Sequence, residues 1–153
     1  MIRFELEVVV DRPVEEVFAY VTDVRNLPSW QASADEAAWE DDGPVQRGCR
    51  MRERRTFMGR TLESTLAVSA FEPDRLFELE AAGGPLPLRV RHEFEPENGS
   101  TRIHVVAEGE PGGLFKFAER MAAKQAERQF TRDFERLKQI LESSDTARRG
   151  KPL

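Results

Sequence analysis

Residues 114–142, LFKFAERMAAKQAERQFTRDFERLKQILE, contain neither glycine nor proline, and this stretch decides the fold class. Its apolar residues recur at spacings of three and four, which predicts one long helix with a continuous apolar stripe. At about 1.5 Å of rise per residue, the helix would be roughly 43 Å long. A stripe of that length has to be buried against another large element. The stripe consists of Leu114, Phe117, Ala118, Met121, Ala122, Ala126, Phe130, Phe134, Leu137 and Leu141.

The residues before this helix alternate in the manner of strands. In IRFELEVVV (2–10), a hydrophobic residue occupies every second position, which is typical of a half-buried strand. From about residue 32 to residue 109, further stretches of this kind are separated by turn sequences. Asn98-Gly99 favours a tight hairpin, because both residues tolerate positive φ. Counting the first strand, the sequence predicts roughly seven antiparallel strands.

Two short helices are predicted between the first strand and the others, in DRPVEEVFAYVTDVRNLPSW (11–30). Asp11 is expected to cap the first helix, because its carboxylate can accept a hydrogen bond from a free backbone N–H. Thr22 or Asp23 would cap the second helix, which Pro28 is expected to end. Each helix is too short to cover a sheet, so that role falls to the long C-terminal helix.

The composition is that of an ordinary globular protein, with 39% hydrophobic and 33% charged residues. No apolar run is long enough to cross a membrane, and the N-terminus lacks the pattern of a signal peptide. The single cysteine, Cys49, cannot form an internal disulfide, which fits a reducing compartment. We therefore expect a cytoplasmic protein without stable membrane insertion. The net charge of −5 disfavours binding to nucleic acid, which requires a concentrated positive surface.

The order of these elements is that of the helix-grip fold: one strand, two short helices, six strands and one long helix. Several segments also resemble, in their amino-acid sequence, the polyketide cyclase/dehydrase-like branch of the START (SRPBCC, Bet v 1-like) superfamily. These segments are residues 11–30, FEPDRLFELE (71–80), FEPENGSTRIHV (94–105) and FERLKQILE (134–142).

The resemblance covers roughly residues 3–142 and implies an α+β fold, in which a seven-stranded curved antiparallel sheet is gripped by the C-terminal helix. We expect one such domain over residues 1–142 and a disordered tail over residues 143–153. In this superfamily, the cavity between sheet and helix holds lipids, sterols, polyketides, hormones and related molecules. No catalytic motif of an enzymatic branch matches residue by residue, so the resemblance assigns no catalytic residue.

Residue parity on the strands indicates which side chains face this cavity. If Val90 and Phe94 face inward, His92 does too, and it interrupts an otherwise apolar face. A neutral imidazole there is either satisfied by a neighbour or available to a ligand. On the arginine-rich strand, Glu53 and Arg55 have the inward parity, which places them near the cavity mouth or indicates a bulge.

On the long helix, Gln125 and Gln129 lie one turn apart beside the apolar stripe. They either line a cavity, where a buried amide needs a partner, or sit at the edge of a narrow stripe. Together with the strand residues, they complete the set expected to contact a ligand. That set is Trp30, Met51, Phe57, Phe77, Leu88, Val90, His92, Val105, Met121, Gln125 and Gln129.

Three functions are compatible with these residues. The favoured one is non-enzymatic binding of a small hydrophobic or amphipathic molecule, lipid- or polyketide-like. The second is a polyketide cyclase/aromatase- or dehydrase-like enzyme that uses His92 or Glu53 as a proton shuttle. The third is a protein-interaction module or a homodimer. No metal or other cofactor is predicted, because the sequence has no zinc-ligand set, P-loop or GxGxxG motif.

Overall fold

The structure is a computed structural model that describes residues 2–57, 59–83, 87–109 and 119–149. Within these residues, seven strands form one antiparallel sheet, and a 3-10 helix and three α-helices accompany it. The strands are β1 (Ile2–Val10), β2 (Ala34–Trp39), β3 (Arg50–Phe57), β4 (Arg60–Glu72), β5 (Leu76–Gly83), β6 (Leu88–Glu97) and β7 (Ser100–Gly109). The α-helices are α1 (Val14–Thr22), α2 (Leu27–Trp30) and α3 (Glu119–Arg149).

The strands follow the order β1-β7-β6-β5-β4-β3-β2, so the first strand pairs with the last. The predicted hairpin between β6 and β7 is confirmed, with positive φ at both Asn98 and Gly99. Every pairing is antiparallel, and the sheet is curved. The predicted α+β helix-grip architecture, with a seven-stranded sheet and a long C-terminal helix, is confirmed.

The strand register lines up the apolar residues of one face in rows across the sheet. One row runs across β1, β7, β6 and β5 and consists of Leu6, Val105, His92 and Phe77. The next row on the same face consists of Phe4, Ala107, Val90 and Leu79. Seven of these eight residues are buried, and Leu6 is half-buried. We call this side of the sheet the concave face.

The start of α1 differs from the sequence expectation. Pro13, not Asp11, occupies the N-cap position, and no side chain caps this end. Asp11 instead accepts a hydrogen bond from Ser100 through its carboxylate, and its backbone N–H donates to Glu142. The acidic residues Glu15 and Glu16 stand in the first turn, where the positive end of the helix dipole favours negative charge.

The segment after α1 is helical for longer than predicted. Asp23 caps a 3-10 helix at Val24–Asn26 by accepting a hydrogen bond from the backbone N–H of Arg25. Pro28 does not end the helical segment but stands in the first turn of α2. Proline is tolerated there, because an N–H in the first turn has no intrahelical acceptor. Trp30, the last residue of α2, therefore lies in the core and is 1% exposed.

Helix α3 packs against β1 and α2, and the C-terminal members of the predicted stripe, Phe134, Leu137 and Leu141, are buried. Two side chains of the helix also anchor it to the backbone of other elements. Lys138 Nζ donates to the Val9 carbonyl, and Arg136 Nε donates to the Ser29 carbonyl, each at 2.7 Å. No described helix is long and apolar enough to cross a membrane.

The end of α3 also differs from the sequence expectation, which placed a disordered tail over residues 143–153. The helix continues past Glu142 to Arg149. Residues 143–149 contain no glycine or proline, so nothing in them interrupts helical hydrogen bonding before Gly150. The predicted helix start at residues 114–118 lies outside the described residues, as do residues 150–153. The domain limits of 1–142 stay a prediction.

The packing of α3 predicts a specific loss of stability. We expect Leu137→Ala to lower the free energy of unfolding by about 2–5 kcal/mol, because it opens a cavity at a fully buried position. Gln139→Ala, on the exposed side of the same helix, should change the free energy by less than about 0.5 kcal/mol. Urea unfolding of both variants measures the difference, and equal effects would contradict the packing of α3 described above.

Candidate functional site

An aromatic cluster forms the centre of the concave face and encloses His92. The imidazole ring stacks on Phe77 at a centroid distance of 5.6 Å and on Phe94 at 6.4 Å. Phe134 of α3 closes the cluster from the other side, 5.9 Å from the imidazole. His92 is 5% exposed, so this polar ring lies in apolar surroundings.

The hydrogen bond of His92 determines its tautomer. Nδ1 lies 2.9 Å from the backbone carbonyl of Phe77, and a carbonyl oxygen can only accept, so Nδ1 carries the proton. Burial lowers the pKa of His92 to about 4, although the Phe77 carbonyl and the charge of Glu78 act in the opposite direction. The ring is therefore neutral near pH 7. Among the described residues Nε2 has no hydrogen-bond partner, so its lone pair is available to a donor.

A second polar group on the interior side is Asp133 of α3, which sequence reasoning missed. Its Oδ1 accepts hydrogen bonds from the backbone N–H of Ala32 at 3.2 Å and from Gln129 Nε2 at 2.8 Å. Burial raises the pKa of this carboxyl, and the two hydrogen bonds and the charge of Arg55 oppose that rise. Asp133 follows Phe130 by three residues and therefore lies on the same face of the helix as the apolar stripe. This spacing is the sequence signal for a charged residue on a buried face.

A third polar group lies on β3, where Glu53 and Arg55 face inward as their parity predicts. Glu53 is 5% exposed, and its Oε2 lies 2.9 Å from Arg55 Nη2. Arg55 donates to Ser33 Oγ at 3.0 Å and to Gln31 Oε1. The β3–β4 register is uninterrupted, but β2 shifts its register against β3 between Ala34 and Glu36. The bulge considered from the sequence thus lies on β2, opposite the inward arginine.

Most of the predicted ligand contacts are buried or half-buried. The buried members are Trp30, Met51, Phe77, Val90, His92 and Val105, and the half-buried members are Leu88 and Gln129. Gln129 donates a hydrogen bond from its amide Nε2 to Asp133 Oδ1, and this bond positions the carboxylate. The side chain of Phe57 lies outside the described ones.

Met121 and Gln125 do not join this group. Met121 is 69% exposed, and Gln125 is exposed as well. The two residues lie one turn apart on α3, and the helix face that approaches the sheet here carries Ala126 and Phe130. Phe130 makes an edge-to-face contact with Phe4 at 5.0 Å, which fixes the rotation of the helix. Met121 and Gln125 therefore lie apart from the buried members of the predicted set.

The described residues contain no group of three or more His, Cys, Asp or Glu side chains arranged to hold a metal ion. One groove of about 300 Å³ lies on the opposite, convex face of the sheet, among Arg3, Glu78, Arg89, Arg91, Val106 and Glu108. Its arginines and glutamates already form ion pairs with one another or with nearby carboxylates. Within the described residues, Trp30 Nε1 and Glu53 Oε2 are buried without a hydrogen-bond partner, and neither residue lines this groove.

Residues 1–142 match a family model described as "Polyketide cyclase / dehydrase and lipid transport". No curated protein matches the chain. The chain is similar in structure to a protein from Thermus thermophilus, with 13% identity, a TM-score of 0.79, and coverage of 93% of this chain and 98% of that one. A START superfamily protein from Mycobacterium smegmatis has 17% identity, a TM-score of 0.78 and coverage of 94% and 99%.

The Zhui aromatase/cyclase of Streptomyces sp. R1128 is also similar in structure, with 15% identity and a TM-score of 0.75. The similarity covers 92% of this chain and 93% of that chain. At these identities, the solved structures support the fold, and the chemistry of the site has to be argued from the residues of this chain.

The depressed pKa of His92 predicts a pH dependence of stability. The unfolded chain takes up a proton near pH 6.5, whereas the folded protein takes it up only near pH 4, so stability falls as the pH falls through this window. Relative to His92→Asn, which keeps an N–H donor but does not titrate, the wild type should lose about 3 kcal/mol between pH 6.5 and pH 4. Urea unfolding at several pH values measures this loss.

The comparison with the variant removes the contributions of Asp133 and the other carboxylates, which titrate in both proteins. Parallel curves of unfolding free energy against pH for wild type and variant would show that His92 is not held neutral by burial.

Proposed function

The chain belongs to the polyketide cyclase/dehydrase and lipid transport family, and we propose that it binds a small amphipathic, lipid- or polyketide-like molecule against the concave face. One observation carries the proposal. The concave face combines apolar side chains that are not fully covered with buried polar atoms that have no hydrogen-bond partner among the described residues. Protein cores normally satisfy their buried polar groups, so this combination is typical of a binding site.

The incomplete cover is clearest at Leu6. This residue is half-buried, although it pairs with Val105, which is 1% exposed, and its same-face neighbours Phe4 and Val8 are buried. Leu88, near the end of the same face, is also half-buried. Apolar surface at these positions would stabilise a bound hydrocarbon by about 25 cal/mol per Å² removed from water.

Two ring nitrogens of buried residues would orient such a ligand. The indole Nε1 of Trp30 is a donor without a partner in the described part of the chain, and the Nε2 of His92 is an acceptor. Both rings pack against Phe134, at centroid distances of 5.0 Å and 5.9 Å. A ligand with one carbonyl and one hydroxyl group could therefore satisfy both nitrogens within one region of the interior.

A second candidate function is cyclase- or dehydrase-like catalysis, and two titratable groups favour it. His92 is neutral and could accept a proton, and burial raises the pKa of the Asp133 carboxyl. Asp133 directly precedes Phe134, which contacts the His92 ring. If the wild type converts a bound ligand and His92→Asn does not, this candidate is favoured over simple binding.

The binding proposal predicts that filling the space at Leu6 blocks the site. We expect the wild type to bind the neutral fluorescent probe N-phenyl-1-naphthylamine saturably, with one site per chain. Leu6→Trp should weaken this binding at least about tenfold, because the larger ring occupies the uncovered surface. Fluorescence titration gives both dissociation constants.

Val106→Trp is the matched control, since it adds the same ring to the convex face beside the groove there. It should leave the affinity within about twofold of the wild type. If Val106→Trp abolished binding and Leu6→Trp did not, the convex groove would be the site. Failure of the wild type to bind the probe would contradict the proposed function.

A further inference from the structure

Glu53 is a buried carboxylate whose hydrogen-bonding capacity is unused. The residue is 5% exposed, and its Oε2 is fully shielded from solvent. No residue that the structure describes donates a hydrogen bond to Oε2. A buried carboxylate without such bonds is strongly disfavoured, so a donor from outside the described protein is expected at this position.

What Glu53 lacks is a hydrogen-bond donor rather than a positive charge. Arg55 Nη2 lies 2.9 Å from Oε2, an ion-pair distance, but its N–H bonds are not aligned for a hydrogen bond to that oxygen. The guanidinium instead donates to Ser33 and Gln31. The charge of the carboxylate is therefore already offset by its neighbour, and a neutral donor is sufficient.

The side chains on both sides of Glu53 are small. Its cross-strand neighbours are Ala37 on β2 and Ser64 on β4, two small residues that are each half-buried. Met51, two residues before Glu53 on the same face, is fully buried, so the carboxylate points to the interior side of the sheet. A flat or slender group could lie between the neighbouring strands' side chains and reach the carboxylate.

We propose that Glu53 is a specificity-determining residue that receives the hydroxyl group of an alcohol or phenol on the ligand. This assignment rests on the proposed function and adds the class of ligand that the site selects. An O–H donor supplies the missing hydrogen bond without adding charge, whereas an ether or a hydrocarbon of the same shape would leave the carboxylate unpaired. Hydrogen bonds to charged groups are the stronger ones, so the discrimination should be large.

The experiment compares two probes of one shape, 2-naphthol and 2-methoxynaphthalene, by fluorescence titration. The wild type should bind 2-naphthol at least about tenfold more tightly. In Glu53→Leu this preference should fall to within about twofold. In Glu53→Gln, which keeps the shape and replaces the charged acceptor by a neutral amide oxygen, the preference should fall about fivefold. Glu53→Gln decides the test if the leucine variant does not fold.

Glu63→Gln is the matched control, because Glu63 is exposed on the neighbouring strand and should leave the preference unchanged. Equal affinity of the wild type for both probes, or an undiminished preference in both Glu53 variants, would overturn the assignment while leaving the proposed function standing. Tighter binding of 2-naphthylmethylamine than of 2-naphthol would overturn the choice of a neutral donor. Absence of saturable binding of any of these probes to the wild type would overturn the proposed function itself.

Discussion

The fold and its interior depend on one constraint, which is that a single long helix has to cover a wide apolar sheet. Seven strands at about 4.8 Å spacing span roughly 29 Å, whereas a helix with its side chains is about 10–12 Å across. Helix α3 satisfies this constraint where Phe134, Leu137 and Leu141 are buried, and α1 and α2 cover further parts of the concave face. Curvature of the sheet reduces the mismatch without removing it. Leu6 on β1 also stays half-buried, although α3 packs against this strand.

Polar side chains in this interior acquire properties that they would not have in water. Burial lowers the pKa of His92 and keeps its ring neutral, and burial raises the pKa of the Asp133 carboxyl. Glu53 and Arg55 offset each other's charge but leave the carboxylate without a hydrogen bond. The interior thus offers acceptors and a donor at separate points of an apolar surface, which suits an amphipathic molecule with a few oxygen atoms.

The sequence was sufficient for the fold because the fold follows from periodicity. Alternation on the strands identified the inward side chains of β6, and the spacing on α3 identified Phe134 and Leu137. The site was only partly predictable, because the rotation of α3 depends on contacts such as Phe4 with Phe130. That rotation exposes Met121, which the stripe had included. The tautomer of His92 also depends on a carbonyl fifteen residues away, which only the strand register brings near.

The most direct test of the central claim is a methyl-labelled NMR titration with 2-naphthol. We predict saturable shifts of the methyl signals of Leu6, Val90 and Val105, which share the concave face. The methyl signals of Val9 and Val106, on the opposite face of the same strands, should stay in place. Shifts confined to the convex residues, or no shifts at millimolar ligand, would contradict a binding site between the sheet and α3.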